Sequence, residues 1–310
     1  MSRVSVVIPT YKRSNTILRA VRSVLDQTHR DLEIVVVDDN GAGTAEQLHT
    51  RSALGELIDD GHVTYIVQPV NGGANAARNA GVRQSSGKYV AFLDDDDEWM
   101  PQKLARQVAV MESDADIGVV YTKTVIRYAD LGLEYVTRPR LRGHIHDELL
   151  IENYVGAMVS VLIRRDALLE NPLDEGLPAR QDYDLWLRIS RKWKFEIVDE
   201  VLAVSHAKNT SSRITANINN YIEAIRIIED KYREEIVQLP ESARIRRTAE
   251  QCYFLGSQST KANRPDLARR YFAQSLRTRF SLKALLALLS SFLGMKATVY
   301  VRALQSSLKR

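Results

Sequence analysis

Through its first third the chain alternates between short unbroken apolar runs and stretches where apolar side chains recur every three or four positions. Val4 to Ile8, Leu32 to Val37, His62 to Val67 and Lys88 to Leu93 are the runs, and they predict strands buried on both faces. Helical patterns lie between them. Ile17, Leu18, Val21, Val24 and Leu25 share one face behind Ser14 or Asn15 as cap. Thr44 can cap a helix to about Leu57, and Ala74 to Val82 forms another after the Pro69 to Gly73 loop. Strand and helix units in this succession predict a parallel sheet with right-handed crossovers.

The pattern then loosens. Pro101 to Met111 reads as a helix, Ile117 to Tyr121 as a strand, and Thr124 to Tyr128 as a second strand pairing beside it. Asp130 to Gly143 loses its period and reads as a surface insertion or short hairpin. Ala157 to Ile163 is strand-like, Arg164 to Leu169 and Asp182 to Ile189 are helical, and Phe195 to Val198 and Val201 to Val204 are short strands. Beyond about Asn217 only helices are predicted: Ile218 to Tyr232, Leu239 to Phe254, Leu267 to Leu276 and Ser281 to Phe292. The expected division is residues 1–215 as an α/β domain and 216–310 as a helical C-terminal region.

Composition narrows the classes. The 310 residues carry 43 basic and 39 acidic side chains, a net charge of +4, too mild to argue for nucleic acid. No run reaches the length of a membrane span, and the N-terminus lacks a signal-peptide pattern. The single cysteine, Cys252, cannot form an intrachain disulfide, which fits a cytoplasmic setting. Neither G-x-G-x-x-G nor G-x-x-x-x-G-K-[ST] is present, so no Rossmann fingerprint or P-loop is expected.

Chemistry gathers at two strand ends. The second strand ends in Asp38-Asp39, and the fourth in Asp94, Asp95, Asp96 and Asp97, then Glu98. Open α/β sheets bind ligands at the carboxyl ends of their strands. Adjacent carboxylates repel one another unless something positive sits among them, and a divalent cation held by oxygens answers that need.

V-S-V-V-I-P-T-Y-K-R (4–13), V-V-V-D-D-N (35–40), N-G-G-A-N-A-A-R-N-A-G (71–81), F-L-D-D-D-D-E-W-M-P (92–101) and Q-D-Y-D-L-W-L-R (181–188) together resemble the inverting family 2 glycosyltransferases of GT-A fold. The resemblance runs from residue 4 to about 206. It implies that Pro9, Thr10 and Tyr11, with Arg13, line the nucleotide pocket and that Asp39 contacts the base. Arg78 and Asn79 would stand behind the diphosphate, Asp94 and Asp96 would be the acids of the D-x-D motif, with Asp96 on Mg2+ or Mn2+, and Asp95, an extra acid at the motif's variable position, would lie with Asp94 at the nucleotide-sugar. His206, followed by Ser211, Ser212 and Arg213, would lie near the metal or diphosphate. Asp182 would be the catalytic base, and Gln181 stands where glutamate is common in the family. As the start of a helix, Asp182 is favoured by helix amides, with Asp184 its rival.

The implied activity is metal-dependent, inverting transfer of a sugar from a nucleotide diphosphate, UDP favoured, to a hydroxyl of a glycan or lipid-linked acceptor. Two rival readings are a sugar-nucleotide sensor or scaffold of the same fold, and a sugar nucleotidylyltransferase. Leu282, Leu285, Leu286, Leu289 and Phe292 make an apolar helix face, flanked by Lys283 and Lys296 and followed by Arg302, Lys309 and Arg310. Peripheral contact with the inner face of a membrane, a homodimer contact and packing within the chain are all open for it.

Overall fold

Val6, Ile8, Ile34 and Val36 face one side of a central sheet, and Val7, Val35 and Val37 face the other. Both faces are covered, which is why these runs show no polar alternation. The computed structural model describes residues 2–207 and 217–308. In chain order the first elements are β1 (Val4–Thr10), α1 (Ile17–Leu25), β2 (Leu32–Asp38), α2 (Ala45–Asp59), β3 (Thr64–Val67), α3 (Ala74–Gln84) and β4 (Tyr89–Phe92). The strands lie in the order β3-β2-β1-β4, all parallel, as predicted. Their starting ends are laced by one carboxylate. Glu33 accepts hydrogen bonds from Ser5 Oγ at 2.5 Å and Ser86 N at 2.6 Å, and pairs with Arg3 at 3.2 Å.

The sheet continues through β5 (Glu98–Trp99), α4 (Lys103–Met111), β6 (Ile117–Tyr128), β7 (Leu133–Val136), α5 (His146–Ile151), β8 (Val161–Arg164), α6 (Arg165–Glu170), α7 (Gln181–Ser190) and β9 (Lys194–Ala207). Here the order is β4-β8-β6-β9-β5, with β8 antiparallel to both neighbours and β6 parallel to β9. Thr124 to Tyr128 does not pair beside Ile117 to Tyr121, because β6 is one strand. Likewise the two short strands expected between Phe195 and Val204 are one, β9, and the register between β6 and β9 slips near Thr122. That slip interrupts the apolar pattern without breaking the strand. The region after Asp130 includes a hairpin arm, β7, antiparallel to β6.

The helices after residue 216 are α8 (Ile218–Lys231), α9 (Arg233–Gln238), α10 (Glu241–Lys261), α11 (Pro265–Thr278), α12 (Leu282–Ser290) and α13 (Met295–Leu308). Tyr221, Ala224 and Ile228 of α8 and Leu255 of α10 belong to the same core layer as Val7 and Trp186. On α10, Gly256 lies against the Phe272 ring of α11, where an added Cβ would come within 2.6 Å. Among the described residues no helix is long and apolar enough to cross a membrane.

Candidate active site

Because β1, β2 and β4 are parallel neighbours in register, their carboxyl ends bring Thr10, Asp38-Asp39 and the acidic turn to one edge. Thr10 Oγ1 donates to Asp95 Oδ2 at 2.8 Å. Pro9 is buried within β1, and Tyr11 at the rim is 44% exposed. Lys12 has φ +55 and donates its amide to Asn40 Oδ1 at 2.8 Å, which fixes the turn leaving β1.

Asp39 is buried, and its carboxylate accepts Gly72 N and Gly73 N, each at 2.8 Å, and Asn71 Nδ2 at 2.9 Å. It therefore shapes the loop that opens α3, where Gly73 takes φ +87. Further along that helix, Gly81 packs on β1, with an ideal Cβ only 2.3 Å from Val7 Cγ1. This close approach seats α3, and with it Arg78, over the strand ends.

The acidic turn is buried and crowded. Arg13 Nη1 bridges Asp95 at 3.1 Å and Asp96 at 2.5 Å. Arg19 donates to the Asp96 carbonyl. Burial pushes the Asp95 carboxyl up to about 6, against the pull of Arg13 and the Thr10 hydroxyl. Burial, with Asp94 and Asp96 alongside, also raises Asp97 well above the ordinary carboxylate range. Strand β5 pairs with β9, Glu98 opposite Val204, and brings His206 to the turn. His206 donates its amide to Asp97 at 2.8 Å, and its Nε2 lies 2.8 Å from Glu98 Oε1. Ser211, Ser212, Arg213, Lys309 and Arg310 lie outside the described residues.

Arg78 is 6% exposed and holds Asp94 Oδ1 through Nη2 at 2.6 Å, while its Nε and Nη1 have no hydrogen-bond partner among the described residues. Asn79 turns away from the acids. Its Nδ2 donates to Leu173 O at 2.9 Å and Glu175 Oε1 at 2.8 Å, and its Oδ1 accepts Leu173 N at 2.9 Å. Asn79 thus ties α3 to the loop that leads into α7.

At the start of α7, Asp182 accepts the Tyr183 amide at 2.7 Å. Burial raises its carboxyl above the usual range, although the Tyr183 amide, Arg180 and Arg78 oppose the rise. Asp184, its sequence rival, is wholly buried and committed to Arg188 Nε at 2.9 Å, Lys231 Nζ at 2.8 Å and Tyr232 Oη at 2.8 Å. It joins α7 to α8. Asn40, Glu98 and Arg180 were given no role by sequence reasoning. Arg180 sits at φ +58 with its guanidinium 4.4 Å from the Tyr183 ring centroid and 4.5 Å from that of Phe254. No local pattern announces a contact with a helix so far along the chain.

The residues fit a divalent cation of the hard, oxygen-binding kind: the donors are carboxylates in a turn short of positive charge. Among the described residues no three His, Cys, Asp or Glu side chains are grouped to hold a metal alone.

The family model described as glycosyl transferase family 2 matches residues 5–170. The Escherichia coli UDP-Glc:alpha-D-GlcNAc-diphosphoundecaprenol beta-1,3-glucosyltransferase WfgD is 28% identical over 215 residues, 69% of this chain and 80% of that protein. Among solved structures, S. aureus TarS 1-349 in complex with UDP-GlcNAc superposes with a TM-score of 0.62 at 17% identity, covering 99% of this chain and 92% of that one. The mannosyltransferase PcManGT from Pyrobaculum calidifontis, in complex with GDP-Man and Mn2+, gives a TM-score of 0.56 at 19% identity, covering 100% and 88%. These likenesses show a GT-A-like fold with a helical C-terminal region.

Proposed function

The chain belongs to glycosyl transferase family 2, and from that premise we propose that it is a metal-dependent, inverting enzyme that moves a sugar from UDP to a hydroxyl of a lipid-linked or growing glycan. The observation that carries this reading is Arg78. A buried guanidinium bound to one acid of the turn, with two nitrogens unpartnered among the described residues and its charge reaching Asp182, suits an anion between the acids and the base. A departing diphosphate is such an anion.

Asp96, with His206 beside Asp97 and Glu98, would hold Mg2+ or Mn2+. When bound, that ion supplies charge to stabilise the leaving diphosphate. Asp94 and Asp95 hold Arg78 and Arg13 in place beside the same phosphates. Pro9, Thr10 and Tyr11 wall the nucleotide pocket, and Asp39 shapes its floor by ordering residues 71–73. Asn79 keeps α3 and the loop before α7 in register. Asp182 takes the proton from the acceptor hydroxyl as that oxygen attacks the anomeric carbon, and its raised pKa makes it the stronger base. One displacement inverts the anomeric centre. The UDP donor and lipid-linked acceptor in the name of WfgD favour the same classes here.

We divide the chain near residue 215, with the helical region serving the acceptor. Ala284 and Ala287 of α12 are buried, while Leu282, Leu289, Phe292 and Leu293 are 63%, 56%, 62% and 79% exposed. So much outward apolar surface beside Lys283 and Lys296 suits peripheral membrane contact on the cytoplasmic side. Liposome sedimentation of the full chain against one ending near 280 tests it, and salt-insensitive or equal pelleting argues against it.

The function itself is tested by a panel of nucleotide sugars, read by donor hydrolysis and thermal protection with and without chelator. Protection by UDP-sugars that disappears in chelator is expected. Indifference to Mg2+ and Mn2+, or preference for GDP over UDP, removes those parts of the reading. Product NMR from an α-linked donor should show a β linkage.

A further inference from the structure

Arg180, the N-cap of α7, takes a left-handed backbone with φ +58. Glycine or asparagine would adopt that conformation at less cost. An arginine kept there is kept for its side chain. Its guanidinium lies between two rings, 4.4 Å from the Tyr183 centroid and 4.5 Å from that of Phe254. Burial pulls its pKa below the ordinary arginine value. Its Nη1 is buried with no hydrogen-bond partner among the described residues. A strained backbone and a buried cation thus meet two residues before Asp182.

The clamp on this arginine comes from the helical region. Arg247 and Phe254 stand about two turns apart on α10. Phe254 packs edge-on against Tyr221 of α8, with centroids 5.4 Å apart. Arg247 is 2% exposed, donates to Leu150 O and to Tyr183 Oη at 3.3 Å, and pairs with Glu229 of α8 at 2.6 Å. Tyr183 Oη in turn donates to Leu149 O at 2.5 Å. The Tyr183 ring is therefore fixed from its far end, and α10 supplies the second ring.

The charges near the base are shared unequally. Burial raises the Asp182 carboxyl, and both Arg180 and Arg78 oppose the rise. Arg78 is committed to Asp94 and, under the proposed function, to the diphosphate. Arg180 also feels Arg247 and Glu229, which pair with each other. Glu152, Glu250, Lys261 and Arg302 line the same cavity as Arg180, and both carboxylates are held by Lys283. Once a diphosphate draws on the charge of Arg78, Arg180 is the cation left to Asp182.

We infer that Arg180 is a positioning residue for the base: the Phe254 ring of α10 fixes the Arg180 guanidinium near Asp182, where its charge favours the ionised carboxylate. The inference rests on the glycosyltransferase reading and deepens it. It makes the helical C-terminal region part of what keeps the base ready.

The test uses the full chain with Mn2+ and whichever UDP-sugar of the nucleotide-sugar panel is hydrolysed fastest, water standing in for the acceptor hydroxyl. Arg180→Met keeps the bulk and removes the charge. The acid limb of kcat should then move to higher pH by at least about 0.5, roughly a 3-fold loss of rate below the limb. Phe254→Leu loosens the clamp, and Arg180→Lys keeps the charge without the planar stack, so each should move the limb the same way by less. In an Asp182→Asn background, Arg180→Met should cost less than about 2-fold more, because the two act through one charge pair. UDP affinity should stay within about 2-fold in the Arg180 and Phe254 variants. An unmoved limb in folded Arg180→Met protein, with rates lowered alike at every pH, overturns the inference, as does an equal loss in the Asp182→Asn background. If Arg180→Met does not fold, the limb of Phe254→Leu decides. Hydrolysis of no nucleotide sugar by the unsubstituted protein would instead sink the glycosyltransferase reading, so the two failures are distinguishable.

Discussion

At the acidic turn, Thr10, Asp39 and Asp95 come from three adjacent parallel strands, each within a few residues of the strand's carboxyl end. Around Arg180, the partners are Tyr183 in the next turn and Phe254 on a helix more than seventy residues away. The first region is assembled by register alone: once the sheet forms, its acids have nowhere else to go. The second is assembled by helix packing, so its geometry depends on contacts spread along the chain. The acidic turn also gathers like charges at a cost in stability, whereas the α7–α8 junction spends its charges on pairing.

The largest effects should separate chemistry from scaffold. Asp182→Asn is expected to lower transfer by at least about 10²-fold while UDP affinity holds. In the unsubstituted protein the acid limb of kcat/KM should fall above the ordinary carboxylate range, since burial raises this carboxyl. Near-normal turnover of Asp182→Asn would move the base elsewhere. Asp184→Asn should act oppositely, costing roughly 2 to 4 kcal/mol in chemical denaturation by stranding Arg188 and Lys231. A stability change below about 1 kcal/mol would show that the junction tolerates an unpaired cation.

Next come two glycines that play matching parts in the two regions. Gly81→Ala drives a methyl into Val7, and Gly256→Ala drives one into the Phe272 ring. Each should cost about 1 to 3 kcal/mol. Only Gly81→Ala should also weaken UDP, because α3 carries Arg78. Equal UDP binding by both variants would mean that α3 is not what seats the diphosphate.

The smallest effect concerns Asp95, whose ionised form is disfavoured in the folded chain. Asp95→Asn should stabilise the protein at pH 7.5 by about 1 to 2 kcal/mol, with the gain vanishing near pH 4. Destabilisation at pH 7.5 would show that its pairing with Arg13 outweighs burial.

The strands and acids of the first half were legible because period and spacing coincide with geometry there: an apolar run, then carboxylates, is a strand end in any parallel sheet. The family motifs named Asp182, but its rivalry with Asp184 could not be resolved from spacing. Lys231, the last residue of α8, and Tyr232, just beyond it, hold Asp184 from another part of the chain. Asn79 sits one residue from Arg78, yet its amide serves the loop at Leu173. Sequence marked the pair without dividing its labour. The last helix, α13, was missed because Lys296, Thr298 and Arg302 interrupt its apolar positions.

Glu33 and Asp95 sit at opposite ends of the same few strands, and they answer acid in opposite senses. At Glu33, burial is outweighed by the Ser5 and Ser86 hydrogen bonds and by Arg3, so its pKa is lowered. That contribution is present above the unfolded value near 4.3 and is lost as pH falls through the folded one. At Asp95, raised to about 6, the folded state gains as pH falls from above 6 toward 4. Asp97 adds to that gain. Asp95 and Asp97 therefore favour the folded state as the solution turns mildly acid, opposite to Glu33, while burial moves the Asp182 carboxyl in the same upward direction as theirs.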